Sequence, residues 1–385
     1  MRNAETILTI IRERGKKGQT LEDVYRQLYN PDMYLRAYGR IYRNAGAMTK
    51  GTTEETVDGM SKRKIEGIIE LLRNERYRWT PVRRTFIPKK NGKLRPLGIP
   101  TWSDKLLQEV MRSIIEAFYE PQFSPTSHGF RPELGCHTAL RDIFCTWNGT
   151  IWLIEGDIKG CFDNIDRTVM LSILREKIHD NRFLNLVENL LKAGYLEQWS
   201  YRPTLSGTPQ GGIISPLLAN IYLDKLDKFV EQTLIPRSTR GEGRKQRPEY
   251  NRLRKRIRKL QEEGAPEAIL QPLLNEFRTL GSTDSFDPNY RRLKYVRYAD
   301  DFLLGFDGPR EEAEEIKDQL GTFLRDRLKL ELSPEKTLIT HARTVLATFT
   351  AHGSPVDSRR ISHPVFLASA SVARRESRCG SNGRR

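Results

Sequence analysis

The sequence predicts an α+β fold, and three observations carry that prediction. In residues 1–80 the apolar and aromatic positions Leu21, Val24 and Leu28, then Tyr34, Leu35, Tyr38, Ile41 and Tyr42, recur at helical spacing on either side of Asn30-Pro31, where the first run should stop. Residues 82–87 and 94–99 read as two strands meeting at Asn91-Gly92, a strong hairpin signal. Residues 294–298 and 302–306 are short aromatic and apolar segments that flank Asp300-Asp301, so the two acids sit at a second hairpin tip.

The remaining elements follow along the chain. In the N-terminal stretch Arg36, Arg40, Arg43, Lys50, Lys62, Arg63 and Lys64 interleave with the tyrosines. Basic residues among aromatics can follow a phosphate backbone and stack on bases, while tyrosines at helical spacing also suit a core. Residues 103–119 form a helix whose apolar face carries Leu106, Leu107, Val110, Met111, Ile114, Ile115 and Phe118. Residues 127–132 read as a loop, and His128 within it has no acid or Cys/His partner at suggestive spacing, which gives it a structural role. The apolar run 151–156 reads as a strand that ends at Asp157. Residues 166–192 form one or two helices, with Asp166 as an N-cap and Leu171, Leu174, Ile178, Phe183, Leu186, Val187 and Leu190 facing inward. Gly211-Gly212 allows a close backbone approach, and Pro216 starts a helix through Leu217, Leu218, Ile221, Tyr222, Leu226 and Phe229. Pro309 opens a last helix carrying Ala313, Ile316, Leu320, Phe323, Leu324 and Leu328; residues 328–332 alternate like a strand, and Lys336 lies in the loop beyond.

Asp157, Asp300 and Asp301 are the chemically informative residues. An Asp-Asp pair alone suits a solvated turn, because Asp bonds its own neighbouring backbone there. A third carboxylate at another strand end changes the reading. Mg²⁺ takes octahedral oxygen ligands, commonly one or two carboxylates completed by water and substrate phosphates. Two such ions about 3.5–4 Å apart clamp the attacking and leaving oxygens of an in-line phosphoryl transfer. Neighbouring strand residues face opposite ways, so only one of the pair should point fully at the metals, and that role falls to Asp300.

Composition is consistent with a partner of opposite charge. The chain has 385 residues, a net charge of +16 and a pI near 9.7. That length suits two or three subdomains. Basic side chains bind nucleic acid by displacing condensed counterions, and metal neutralises an acidic cluster in their midst. Residues 237–259 hold eleven Lys or Arg against Glu242 and Glu249, a local net of +9. Such a run suits either a solvated face or RNA contact. No apolar run approaches the roughly 20 residues of a membrane span, and the N-terminus lacks a signal-peptide layout, which predicts a cytoplasmic protein without a membrane partner. Cys136, Cys145, Cys161 and Cys379 form no C-x-x-C pair, which argues against zinc and a disulfide framework.

The acidic segments also carry a resemblance. Asp157-Ile158-Lys159 through Phe162-Asp163, followed by Tyr298-Ala299-Asp300-Asp301, resembles the first and third palm motifs of a reverse transcriptase, and the block from Thr208 to Leu223 resembles the motif set against the incoming nucleotide. Ile87-Pro88-Lys89-Lys90, Arg95-Pro96-Leu97-Gly98-Ile99-Pro100, Ser127-His128-Gly129-Phe130-Arg131-Pro132 and Leu332-Ser333-Pro334-Glu335-Lys336-Thr337 are similar to the bacterial group II intron-encoded reverse transcriptase and maturase. The likeness covers about residues 20–342, with the motifs in the family's order.

The resemblance implies a right-hand polymerase with fingers and a palm on an antiparallel sheet, preceded by a helical, basic extension over residues 1–80. The polymerase unit would span 81–342, interrupted at 236–292 by a basic insertion. It implies two Mg²⁺ ions, with Mn²⁺ as a substitute, at Asp157, Ile158, Asp300 and Asp301. The nucleotide would be met by Lys89, Arg95, Ile158, Phe162 and Gln210: Lys89 and Arg95 on the triphosphate, Phe162 beneath the sugar, where an aromatic blocks a 2′-hydroxyl, and Gln210 at the sugar or primer side. Phe162 also suits a core by spacing alone. Lys336 matches a lysine held to protonate the departing pyrophosphate, while its spacing leaves a backbone or phosphate contact open. Within the insertion, Arg252, Arg254, Lys255, Arg256, Arg258 and Lys259 would bind intron RNA. The loop 44–51 would touch the template, although Val57-Asp58-Gly59 comes later than is customary. Partners would be the intron RNA, an RNA template, a DNA primer and deoxynucleoside triphosphates.

The likeness stops near Arg343. Residues 343–385 contain eight Arg, seven Ser and no Lys, and they lack the strand and helices with which the family continues, so a disordered or out-of-frame tail and an absent thumb are expected. Three functions follow: an intron-encoded RNA-directed DNA polymerase that also assists splicing and mobility, a splicing cofactor without polymerase activity, or a reverse transcriptase of another bacterial retroelement. Intact Asp157, Asp300 and Asp301 favour the first over the second.

Overall fold

The computed structural model describes residues 2–342 apart from 45, 89–91, 93, 198–199, 203–210 and 285–286. Lys89, Gln210 and the tail 343–385, with the expectations attached to them, lie outside the described residues.

The chain opens with helices α1 (Ala4–Lys16), α2 (Val24–Gln27), α3 (Pro31–Ile41) and α4 (Lys62–Arg73). Three of them begin at side chains that satisfy exposed helix-start amides: Asn3 accepts from the Thr6 amide, Asn30 from that of Asp32, and Ser61 from that of Lys64. Asn30-Pro31 therefore ends one run and starts the next. Strands β1 (Val82–Pro88) and β2 (Leu94–Ile99) form the expected hairpin, in antiparallel register from Arg83 opposite Ile99 to Pro88 opposite Leu94. Helix α5 (Trp102–Tyr119), capped by Thr101, is buried almost all round, with Leu106, Leu107, Val110, Met111, Ile114, Ile115 and Phe118 fully shielded. Helix α1 lies against it so closely that a Cβ on Gly15 would sit 2.1 Å from the Phe118 carbonyl oxygen.

Next come β3 (Ser127–His128), α6 (Cys136–Thr146), β4 (Trp152–Asp157), α7 (Cys161–Asn164), α8 (Arg167–Arg175), α9 (Asn181–Lys192), β5 (Tyr195–Glu197) and β6 (Ser200–Arg202). Asp166 caps α8 as expected, and Asp180 caps α9. The chain then forms α10 (Ser215–Phe229), α11 (Ile235–Arg237), α12 (Pro248–Glu262), α13 (Glu267–Thr279), β7 (Arg292–Tyr298), β8 (Asp301–Asp307), α14 (Arg310–Leu328) and β9 (Leu338–His341).

Two sheets result. One has the order β2-β1-β5-β6, the other β3-β7-β8-β4-β9, and in the second every pairing except the short parallel β3–β7 contact is antiparallel. Side-chain alternation gives the second sheet two buried faces. Ile154, Leu293, Tyr295, Phe302, Leu304 and Phe306 join the main core with α10 and α14; Leu153, Val296 and Leu303 pack on the other side with Ala139, Ile143 and Trp147 from α6 and the turn after it.

Several expectations need correction. Residues 127–132 are not all loop, since Ser127 and His128 pair with Arg297 and Tyr298. Residues 328–332 are not a strand. Leu328 ends α14, Lys329 adopts the left-handed conformation, and Leu330 turns back into the core, so the alternating leucines mark a helix end and its plug. The strand that completes the sheet is β9, ten residues beyond that helix end.

Candidate active site

Strands β4 and β8 end together. Their ladder runs from Trp152 opposite Phe306 to Asp157 opposite Asp301, so the last pair consists of two carboxylates. Residues directly opposite in an antiparallel pair project to the same face, so Asp157 and Asp301 share one. Ala299 and Asp300 form the two-residue turn between Tyr298 and Asp301. The expectation that Asp300 alone of the pair should face the metals presumed an extended pair, and that premise fails: Asp300 is a turn residue, and Asp301 is the one in register with Asp157.

Asp300 adjoins Asp301 in the same turn. The buried Cys161 thiol, at the start of α7, is pushed up to about 12 by burial and then by the negative charges of Asp300, Asp157 and Asp163. Lys336 supplies the positive charge: its Nζ lies 3.1 Å from both Oδ1 and Oδ2 of Asp157. The Lys336 loop is fastened to the same strand end, because the Ser333 amide donates to the Asp157 carbonyl, the Lys159 amide donates to the Glu331 carbonyl, and Ile158 bridges to Leu332. Lys336 is thus held beside Asp157 by backbone bonds.

Among the described residues no set of three or more His, Cys, Asp and Glu side chains is already drawn together as a metal cage. Divalent magnesium does not require one, since it keeps waters and takes substrate phosphates beside one or two carboxylates. The donor set here fits that pattern: two opposed carboxylates, a third in the adjoining turn, and an ammonium already lying astride Asp157 as a cation would.

The turn is held from beneath. Ala299 has φ +56°, the sign required at the first central position of a II′ hairpin turn, where glycine is the usual occupant. The Ala299 amide donates to the His128 carbonyl over 2.9 Å, and Arg297 Nη1 donates to the Ala299 carbonyl over 2.6 Å. Arg297 is fully buried, and all five of its guanidinium N–H donors are used: two on the Asp227 carboxylate, one on Asn220 Oδ1, one on Ser127 Oγ and one on Ala299. Tyr295 donates to Asp227 as well. Removing one partner of such a buried pair costs about 3–5 kcal/mol. Gly129 approaches so closely that a Cβ there would lie 3.0 Å from the Ala299 amide, and its carbonyl accepts from Asn220 Nδ2. The segment Ser127–Gly129 is therefore the shelf under the acidic turn. His128 takes the structural role expected of it, with Nδ1 bonded to Thr138 and the pKa lowered by burial.

The other predicted residues are distributed around this centre. Ile158 is buried behind Asp157. Phe162 is half-buried on α7, packs partly on the main core, and meets the exposed Phe130 ring edge-on at 6.3 Å between centroids. Arg95 lies on β2 opposite Ile87. Gly211 abuts that strand, since a Cβ on it would fall 2.3 Å from the Gly98 carbonyl oxygen, and Gln108 of α5 accepts from the Ile213 amide. In the insertion, α12 buries Leu253 and Ile257 and exposes Arg252, Arg254, Lys255, Arg256, Arg258 and Lys259; Tyr250 and Phe277 stack where it meets α13. The insertion is tied to the far end of β8 by Arg244, which pairs with Asp307 at 2.5 Å and donates to the Gly149 carbonyl.

Sequence reasoning missed Arg297, Asp227, Asn220 and Gln108. One signal existed: of the three charged residues in β7, Arg297 alone shares the alternation of the core residues Leu293 and Tyr295.

Comparison with known proteins identifies relatives over most of the chain. Residues 87–247 match the family described as reverse transcriptase (RNA-dependent DNA polymerase). The chain is 48% identical over 328 residues to the group II intron-encoded protein LtrA of Lactococcus lactis subsp. cremoris, an alignment covering 83% of this chain and 54% of that protein. It is 40% identical over 339 residues to an uncharacterised 91 kDa protein in the cob intron of Schizosaccharomyces pombe, covering 86% of this chain and 42% of that one. It is 32% identical over 337 residues to protein YkfC of Escherichia coli K12, covering 83% of this chain and 80% of YkfC. The chain thus spans about half the length of LtrA and most of the length of YkfC. With its acidic pair in register at the end of the β4–β8 ladder, the chain belongs to the reverse transcriptase family, in its group II intron-encoded branch.

Proposed function

We propose that this chain is an RNA-directed DNA polymerase that extends a DNA primer along an RNA template and also binds the intron RNA that encodes it. The observation that carries the reading is the register of Asp157 against Asp301, with Asp300 in the adjoining turn. In this reading the five-stranded sheet is the palm, and the four-stranded sheet with α5 and the N-terminal helices forms the fingers and their extension. Residues 236–292 are an RNA-binding insertion, and α12 presents its basic face.

Asp157, Asp300 and Asp301 would hold two Mg²⁺ ions, with Mn²⁺ as a substitute. Bound there, the ions supply Lewis-acid polarisation of the primer 3′-hydroxyl and of the triphosphate oxygens. The protein's share is position and charge. Lys336, fixed beside Asp157, places an ammonium where it can meet a phosphate oxygen or give a proton to the leaving group. Phe162, backed by Phe130, offers a ring under the sugar. Arg95 belongs to the hairpin that would meet the triphosphate, where a guanidinium can donate two parallel hydrogen bonds.

The test is single-nucleotide extension at saturating template and Mg²⁺, with RNA binding measured on the same preparations. Asp157→Asn, Asp300→Asn and Asp301→Asn should each lower extension by more than about 100-fold, the scale at which one preorganised electrostatic group acts. RNA binding should stay near the parental value. Near-parental extension by Asp157→Asn would falsify the assignment, and RNA binding without extension by the parent would turn the reading to a splicing cofactor.

A further inference from the structure

We propose that Arg297 is a positioning residue for the acidic site, fixing where Asp300 and Asp301 stand relative to Asp157 through its grip on the Ala299 carbonyl. This rests on the reading of the acids as the polymerase site and adds a determinant of their geometry. The two-residue turn leaves the β7–β8 ladder at Tyr298 and rejoins it at Asp301, so no ladder pairing holds Ala299 or Asp300. Ala299 must hold a left-handed φ without being glycine. Its two backbone polar groups are the handles: the amide is taken by the His128 carbonyl at 2.9 Å, the carbonyl by Arg297 Nη1 at 2.6 Å.

The guanidinium is not free to follow the turn. Its Nε and Nη2 lie 2.8 and 2.7 Å from the two oxygens of Asp227, which stands on α10. Nη1 is also held by Asn220 at 3.0 Å, two turns earlier on the same face of α10, and Nη2 by Ser127 at 2.7 Å on the neighbouring strand. Asn220 in turn holds the Gly129 carbonyl next to the His128 that grips the Ala299 amide. Both handles of the turn are therefore referred to α10, the helix that starts just after Gly211-Gly212. A lysine could neutralise Asp227 but offers three donors on a flexible stem, with no planar fork to reach the other partners together.

The experiment uses the full chain with three variants: Arg297→Lys, Asn220→Ala and Tyr295→Phe. Tyr295→Phe is the control, because the Tyr295 hydroxyl donates to Asp227 and not to the turn. The readouts are the Mg²⁺ concentration for half-maximal single-nucleotide extension, Mn²⁺ affinity by electron paramagnetic resonance without substrates, RNA binding and the urea midpoint. Arg297→Lys and Asn220→Ala should raise the half-maximal Mg²⁺ and weaken Mn²⁺ binding by about 10-fold or more, the usual effect of removing a group that orients a metal ligand. Extension should fall about 100-fold, as a displacement near 1 Å can produce. Tyr295→Phe should lower the urea midpoint and leave the metal response unchanged. If Arg297→Lys does not fold, Asn220→Ala carries the test, since it leaves the Arg297–Asp227 pair in place. Folded Arg297 or Asn220 variants with a metal response like that of Tyr295→Phe overturn the proposal. A parent that binds Mn²⁺ at Asp157 without extending a primer sinks the polymerase reading, and the Mn²⁺ arm then decides the role of Arg297. A parent with neither activity overturns both.

Discussion

Asp224 and Asp227 lie three residues apart on α10, and their surroundings differ sharply. Asp227 is fully buried and receives Arg297 and Tyr295. Asp224 has a buried Oδ1 without a hydrogen-bond partner, and the nearest cation, Lys228 Nζ, stands 3.7 Å away. Burial, and after it the charge of Asp227, pushes the Asp224 carboxyl up to about 6, against weaker pulls from Lys228, Arg297 and Lys225. A carboxylate raised in the folded state binds a proton more tightly there than in the unfolded chain. Its contribution is therefore most favourable below about pH 4 and is lost as pH rises through 6. Asp224→Asn should raise stability at pH 7.5 by about 1–3 kcal/mol, since one pKa unit corresponds to about 1.4 kcal/mol. The same substitution should give little at pH 4. Urea midpoints of parent and variant at both values check this, and an equal difference at the two pH values would reject it.

At the level of elements, legibility in the sequence followed the range of the interactions that make each one. The β1–β2 hairpin is a local register between neighbouring strands, and α5 has a continuous apolar face, so both were readable. The meeting of the three aspartates was readable because acidic residues at strand ends stand out by residue type and position. Strand β9 was not, because its four residues gain strand character by pairing with β4 nearly two hundred residues earlier. The anchor of the acidic turn was hidden for the same reason, with Arg297 reaching Asp227 across 70 residues and Ser127 across 170. Packing can also reverse a local preference. Alanine is favoured over glycine within a helix by about 1 kcal/mol. Gly15→Ala should nevertheless destabilise, because its Cβ would meet the Phe118 carbonyl oxygen at 2.1 Å and force α1 away from α5. A loss of about 1–3 kcal/mol, the scale of overpacking, should appear in denaturant unfolding. An unchanged or raised midpoint would show that α1 yields without cost.

Across the whole molecule, a net charge of +16 surrounds a centre built from carboxylates, and the two parts answer to different experiments. The acids act through a short-range arrangement at the end of one ladder. In the proposed function the basic surface would act through counterion release, which would make binding fall with salt by roughly 0.7–0.9 in the logarithmic slope for each neutralised phosphate. Helix α12 is the place to separate them. Its Leu253 and Ile257 stripe faces inward, while Arg254, Lys255, Arg256 and Arg258 are exposed, so alanine at those four positions removes charge without opening the core. Arg258 pairs with Glu262 and Lys259 with Glu263 one turn on, but exposed pairs of this kind hold less than about 1 kcal/mol and can exchange for phosphate. If all four basic residues meet RNA phosphates, the quadruple variant should flatten the slope of log K against log salt by about 3. Affinity at low salt should drop most, and the urea midpoint should stay close to that of the parent. The acid variants give the reciprocal result, losing extension while keeping the parental salt slope. A quadruple variant with an unchanged slope would place the RNA contact elsewhere, and a slope altered in Asp157→Asn would mean that the acidic centre and the basic surface are not separable.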